Sequence, residues 1–128
     1  MPRIDYTAVC RAPAVEVFKL LHDPSRIADW WAGTERVESD AEGGVTRYAS
    51  EFPDFAYPLA VARGDGAVTI SCLLSDIVYE WRLTPHADGC AIVVRVDLPE
   101  AEAAREGAQR AEVGGSLENL VSLAEAEA

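Results

Sequence analysis

Residues 77–98 read IVYEWRLTPHADGCAIVVRVDL, and this stretch decides the fold. In its first part Tyr79 and Trp81 alternate with polar or charged residues, as in a strand with one buried face. Residues 90–98 alternate in the same way, and the intervening Ala-Asp-Gly at 87–89 is a turn signal. Because so short a connection joins antiparallel neighbours, the stretch predicts a hairpin with its aromatic face turned inward.

The same alternation predicts further strands toward the N-terminus. The opening segment alternates from Ile4 to Cys10. Four more strand-like segments are separated by turn signals, and they lie at residues 35–39, 45–50, 57–63 and 67–74. The stretch PDFAYP at 53–58 fits no regular element, so we expect a loop there, near the mouth of any cavity.

Two short helices are predicted between the first and second strands. The first begins after Ala12-Pro13 and carries an apolar stripe at the i, i+3, i+4, i+7 spacing of Ala14, Val17, Phe18 and Leu21. Asp23 is a good N-cap and Pro24 a good first residue for the second helix, which contains Trp30 and Trp31. Adjacent helical residues point about 100° apart, so we expect Trp30 in the core and Trp31 nearer the rim.

From Pro99 onward the composition becomes helical and acidic. The second half carries an apolar stripe of Leu117, Leu120, Val121 and Ala124. The first half offers only small residues for the same side, namely Ala104, Ala108, Ala111 and Gly115. Two consecutive glycines at 114–115 predict a bend or break, since each costs about 1 kcal/mol relative to alanine within a helix.

This order of elements predicts an α+β fold of two layers: one curved antiparallel sheet (β-α-α-β-β-β-β-β-β-α) wrapped around a long C-terminal helix. Residues 1–128 fit a single domain.

Bulk composition excludes several classes of partner. The formal net charge is −11 and Lys19 is the single lysine, so neither nucleic acid nor an anionic membrane surface is an expected partner. No apolar run approaches the roughly 20 residues that span a bilayer, and no leader-like segment opens the chain. With three cysteines in apolar strand patterns, expected as free thiols, the sequence predicts a cytoplasmic protein.

Four stretches of the chain carry a resemblance to a known family. They are APAVEVF at 12–18, LLHDPSRIADWW at 20–31, IVYEWR at 77–82 and GSLENL at 115–120. These motifs resemble the SRPBCC superfamily, the helix-grip fold of START lipid-transfer domains, birch-pollen-allergen-like proteins and polyketide cyclases. Within it, the chain is most similar to bacterial homologues of the heat-shock chaperone ATPase activator.

The resemblance implies a cavity between the sheet and the C-terminal helix. It places a tryptophan where this chain has Gly115, and a Gly-x-Gly hairpin where residues 48–57 stand. The helix-grip topology also implies that the first and last strands are antiparallel neighbours. That pairing would bring Cys10 next to Cys90 and leave Cys72 too distant from Cys90 to bond it.

Aromatic and apolar residues of the inward faces are the candidate ligand-binding set. They are Phe18, Trp30, Tyr48, Tyr57, Tyr79, Trp81, Val94, Gly115, Leu117 and Val121. Each of these aromatics could instead fill the core. Because Gly115 has no side chain, either the helix packs closer to the sheet or a void remains opposite Tyr79 and Trp81. We expect the void.

No catalytic residue, metal ligand or cofactor is predicted. His22 beside Asp23 suits an acid–base role, but a histidine at a helix C-terminus is favoured by the helix dipole alone. We therefore expect a protein that binds a small hydrophobic molecule without transforming it. A polyketide cyclase/aromatase-like enzyme and a chaperone-activator-like interaction module are the alternatives, and a homodimer is left open.

Overall fold

The computed structural model describes residues 2–128, in which a seven-stranded antiparallel sheet packs against three α-helices. The strands are β1 (Arg3–Cys10), β2 (Thr34–Ser39), β3 (Val45–Ala49), β4 (Ala56–Gly64), β5 (Ala67–Cys72), β6 (Val78–His86) and β7 (Gly89–Asp97). The helices are α1 (Ala14–His22), α2 (Pro24–Trp30) and α3 (Glu106–Glu127), with a 3₁₀ helix at Glu100–Arg105 before α3. The predicted helix-grip architecture is confirmed. Within the described residues no helix is long and apolar enough to cross a membrane.

The strand order is β1-β7-β6-β5-β4-β3-β2, so the first and last strands are neighbours as predicted. Cys10 pairs directly with Cys90 in this register. Both thiols are fully buried and free, and burial, together with the Cys10 thiol, raises the pKa of Cys90 to about 11. A pKa this high keeps Cys90 protonated and unreactive near neutral pH.

The hairpin of residues 77–98 has the predicted inward face. Trp81 pairs with Val94 across β6 and β7, and both are buried, while Arg82 on the opposite parity is exposed. The loop expected at residues 53–58 is shorter than predicted, because Ala56 already pairs with Tyr48 and so opens β4.

The α1–α2 corner is held by a local cap and by one tryptophan. The Asp23 carboxylate accepts a hydrogen bond from the Ser25 backbone N–H at 3.0 Å and another from the Ser25 hydroxyl. These bonds hold the pKa of Asp23 below its usual range. Trp30 reaches back across the corner and donates its indole N–H to the Leu20 carbonyl at 2.8 Å.

Both tryptophans are buried, which differs in part from the expectation. Trp30 is only 1% exposed, as predicted for a core residue. Trp31 is also buried, and its ring lies nearly parallel to that of Trp30, with centroids 5.9 Å apart. The 100° argument does not apply because α2 ends at Trp30, and Trp31 is already extended at φ −76° and ψ 105°.

The C-terminal helix differs from the prediction in two respects. It runs without a break through Gly114 and Gly115, and the irregular turn lies earlier, in the 3₁₀ helix. The Ser116 hydroxyl donates to the Glu112 carbonyl and accepts from the Ala32 backbone N–H, which ties this segment to the α2–β2 connection. The small residues expected on the inner side are exposed, namely Ala104, Ala108 and Ala111. The buried residues of α3 are Gln109, Val113, Ser116, Leu117, Leu120 and Ala124.

The void expected beside Gly115 does not form. A Cβ built on Gly115 would lie 3.4 Å from the Cβ of Ala32, so the helix has settled close to the chain between α2 and β2. Gly115 therefore faces Ala32 and not Tyr79 or Trp81. The missing side chain permits close packing and leaves no space for a ligand.

We expect Gly115→Trp to destabilise the fold by about 1–3 kcal/mol, because an indole has no room against Ala32. Gly115→Ala is the matched control. Its methyl group would make an ordinary contact with Ala32, and alanine gains up to about 1 kcal/mol in helix propensity. Denaturant unfolding of both variants measures the difference. Equal or greater stability of Gly115→Trp would mean that space exists there after all.

Candidate functional site

A cavity of about 260 Å³ lies between the inner face of β3–β6 and the N-terminal part of α3. Its apolar wall includes Leu59, Cys72 and Ile77, and its aromatic wall includes Trp31 and Tyr79. The remaining lining residues are Gly33, Arg47, Ala49, Ser50, Glu51, Phe52, Tyr57, Ser75, Arg105, Gln109 and Glu112. The volume is slightly below the range of about 300–1,000 Å³ that is typical of ligand sites, so it suits a small ligand.

A buried ion pair forms one side of this cavity. Arg47 is 8% exposed, and its Nη2 lies 3.2 Å from Oε1 of Glu112. The same arginine donates from Nε to the Thr34 hydroxyl at 2.7 Å, and its guanidinium carbon lies 4.3 Å from the centroid of a Trp31 ring. The indole N–H of Trp31 donates to Oε2 of Glu112 at 3.1 Å. Each carboxylate oxygen of Glu112 therefore accepts a hydrogen bond. The Arg47–Glu112 ion pair carries no net charge, and its geometry is fixed.

A second polar pair lies deeper in the wall. The Tyr79 hydroxyl donates to Oε1 of Gln109 at 2.9 Å, and the Tyr79 ring meets Trp31 edge-on with centroids 5.0 Å apart. Burial, followed by the nearby Glu112 carboxylate, raises the pKa of Tyr79 well above its usual range. The phenol is therefore neutral at any physiological pH, and it acts as a hydrogen-bonding group.

Exposed apolar side chains lie at the mouth of the cavity. Phe52 lines the cavity and is half exposed, and Phe55 beside it packs on Tyr57 with ring centroids 4.8 Å apart. On the neighbouring β5–β6 connection Leu73 and Leu74 are more than half exposed. The loop between β3 and β4 thus contributes aromatic side chains to the entrance.

The structure places only two of the candidate ligand-binding residues, Tyr57 and Tyr79, in the cavity wall. Trp30, Trp81 and Val94 are fully packed in the core, where Trp30 meets Trp81 edge-on at 5.1 Å. Their parity on the sheet is as predicted, but neighbouring side chains fill the space above them.

The other candidates lie elsewhere on the fold. Tyr48 is on the outer face of the sheet, where Arg36 stacks 3.8 Å above its ring, because Arg47 takes the inward parity in β3. Phe18 packs against the His22 ring at 4.8 Å. Leu117 and Val121 border a separate surface groove beside β1, and Gly115 faces Ala32.

Three polar residues of the site were missed by sequence reasoning: Arg47, Gln109 and Glu112. In the sequence Arg47 looks like an ordinary charge in a strand, and Glu112 like part of a solvated acidic helix face. The alternation of Val45 and Arg47 was the available signal, because it places a charge on the same face as a buried valine. Buried charges need partners, so the helix opposite had to supply one.

Both histidines lie away from this cavity. His22 borders an open groove formed with Pro24 and the β3–β4 hairpin, and Arg63 lines the same groove. His86 sits at the exposed end of β6, with Nδ1 accepting from the Asp88 backbone N–H. Neither imidazole contributes an acid–base group to the cavity wall.

Comparison with known proteins places these features in context. A family model described as polyketide cyclase / dehydrase and lipid transport matches residues 1–125. None of the curated proteins compared with the chain matches its sequence.

Solved structures share the fold over nearly the whole chain. The Aha1 dimer from Colwellia psychrerythraea matches with a TM-score of 0.77 and 10% identity, over 98% of this chain and 97% of that one. An AHSA1-like protein from Aeromonas hydrophila matches with a TM-score of 0.71 and 16% identity, over 98% and 94%. A protein from Nitrosomonas europaea matches with a TM-score of 0.76 and 12% identity, over 98% and 96%. At these identities the similarity shows the fold alone.

Proposed function

The chain belongs to the polyketide cyclase / dehydrase and lipid transport family, within the SRPBCC superfamily, and we propose that its cavity binds a small, largely apolar molecule. The observation that carries this proposal is the cavity of about 260 Å³ held open beside a buried ion pair. Arg47 and Glu112 are fixed by Thr34 and Trp31, so they line the space and do not swing into it. A rigid, partly polar wall beside apolar residues is typical of ligand pockets.

Aromatic residues also support this proposal. Trp31, Tyr57 and Tyr79 present large apolar surfaces to the cavity, and aromatic contacts add to the gain from burying a ring-containing ligand. Exposed Phe52 at the mouth offers a first apolar contact on entry.

We also propose that the protein works in a reducing cytoplasm, where Cys10 and Cys90 stay free although they are direct cross-strand partners.

Native mass spectrometry of freshly purified protein tests for a molecule that co-purifies with it. Binding to the cavity is then measured with ethylbenzene as a probe, using the indole N–H signals in a proton–nitrogen correlation spectrum. The chain has three tryptophans, so three such signals report separately. Trp31 lines the cavity and its signal is expected to shift, whereas Trp30 is sealed against Leu20 and is expected to shift least. If no apolar probe moves the Trp31 signal, the proposed function is wrong.

We expect Ala49→Phe to weaken ethylbenzene binding at least tenfold, because Ala49 lines the cavity and a phenyl ring there would occupy it. Ala62→Phe is the matched control, since Ala62 is exposed in β4 on the parity opposite to buried Leu59. That variant should bind the probe like the unmodified protein. Equal binding by both variants would place the ligand site elsewhere.

A further inference from the structure

The cavity contains a hydrogen-bond donor that the protein itself does not use. Gln109 is 6% exposed and its Oε1 accepts from Tyr79, but its Nε2 has no hydrogen-bond partner among residues 2–128. Within those residues every side-chain polar atom sealed from solvent has a partner. Nε2 must therefore face open space, and the space that Gln109 lines is the cavity.

This donor is held in a fixed direction. The Tyr79 hydroxyl bond orients the amide oxygen, so the two N–H groups of the same amide point away from Tyr79. Tyr79 is itself fixed by its edge-on contact with Trp31. An unused, oriented donor in the cavity wall favours a ligand that supplies an acceptor, because a ligand without one would cover this donor and leave it unsatisfied, at a cost of about 1–3 kcal/mol.

The charges around the cavity balance. Its lining includes two arginines, Arg47 and Arg105, and two glutamates, Glu51 and Glu112. Arg47 is already paired with Glu112, and Arg105 with Glu102 at 3.1 Å. An anionic ligand would thus lose its hydration without meeting an unpaired cation, which is unfavourable.

We propose that the ligand is a neutral molecule whose acceptor oxygen, such as a ketone, ester or amide carbonyl, binds the Nε2 group of Gln109. Its apolar part then lies against Trp31 and Leu59. This inference rests on the proposed function, since it names the polar group of a molecule bound in the same cavity.

The side-chain amide signals of the protein test this directly. Gln109 is the single glutamine and Asn119 the single asparagine, so two side-chain amide pairs appear in the spectrum. Asn119 donates to the Trp30 carbonyl and is not in the cavity lining, which makes it an internal control. The probes are acetophenone, ethylbenzene and benzoate, which share a phenyl ring and differ in the polar group.

Acetophenone is expected to shift the Gln109 amide protons downfield beyond any shift caused by ethylbenzene, with Asn119 unchanged. It should also bind about three- to tenfold more tightly than ethylbenzene, the range expected for one net hydrogen bond. Benzoate should bind more weakly than acetophenone. In Gln109→Met, and in Gln109→Met/Tyr79→Phe, the ratio of the acetophenone affinity to the ethylbenzene affinity should fall to about one.

A double variant controls for destabilisation of the fold. Gln109→Met leaves the Tyr79 hydroxyl without its acceptor, so Gln109→Met/Tyr79→Phe removes both hydrogen-bonding partners and leaves neither unpaired.

If the Trp31 signal responds to the probes but the Gln109 amide does not distinguish acetophenone from ethylbenzene, the inference is overturned while the proposed function stands. Tighter binding of benzoate than of acetophenone would also overturn it. A Trp31 signal unmoved by all three probes would overturn the proposed function itself.

Discussion

Trp30→Ala is expected to lower the free energy of unfolding by about 3–5 kcal/mol, as for other large aromatic side chains removed from a core. The indole of Trp30 is 1% exposed, meets Trp81 edge-on and stacks beside Trp31. Its removal also frees the Leu20 carbonyl at the end of α1 from a 2.8 Å hydrogen bond. Urea unfolding followed by circular dichroism measures the loss.

Trp30→Phe separates packing from hydrogen bonding at this position. Phenylalanine keeps most of the apolar contact and loses the bond to Leu20, so we expect a smaller cost than for alanine. A loss under about 1 kcal/mol for Trp30→Ala, which is typical of surface positions, would contradict its assignment to the core.

The second large effect is expected at the buried ion pair. Arg47→Met should destabilise the protein by about 3 kcal/mol, because it leaves the Glu112 carboxylate in a mostly buried position with only the Trp31 indole as donor. Arg47→Met/Glu112→Gln should recover most of this loss, since no unpaired charge remains. Denaturant unfolding of the two single variants and the double variant gives the coupling energy.

Arg36→Met is the matched control for this experiment. Arg36 also stacks on an aromatic ring, that of Tyr48, and also pairs with a glutamate, Glu38 at 3.0 Å, but on the exposed outer face. Water screens an exposed ion pair, so the loss of stability in Arg36→Met should be small. Equal effects of Arg36→Met and Arg47→Met would mean that the inner pair is no better shielded from water than the outer one.

The parts of the fold that the sequence predicts well are those in which one face is continuously apolar. In β6 and β7 the alternation through Tyr79, Trp81 and Val94 determines which side is buried, since a shift of one residue would expose all of them. The helix-grip resemblance, which makes the first and last strands neighbours, correctly paired Cys10 with Cys90. Alternation is a pattern of neighbouring residues, and it determines which of these side chains are buried in the folded state.

The parts predicted poorly depend on contacts between distant residues. In the first half of α3 small side chains give no apolar direction, and the helix instead turns Gln109 and Val113 inward. Gln109 can be buried because its amide oxygen accepts a hydrogen bond from Tyr79. Glu112 can line the cavity because Arg47 and Trp31 donate to its carboxylate. No pattern within α3 carries that information, because each partner is supplied by another element.

The pairing of β1 with β7 has a consequence for how the chain folds during synthesis. β1 leaves the ribosome before the other six strands of the sheet, yet its hydrogen-bonding partners belong to the last of them, with Ile4 opposite Val96. At a synthesis rate of roughly 5–20 residues per second, β1 waits several seconds for a partner. Pairings so distant in sequence also form slowly, because a long loop must close first. The pairing of β1 with β7 is therefore expected to be a late event, and until it occurs the apolar side of β1 is open to chaperones or to aggregation.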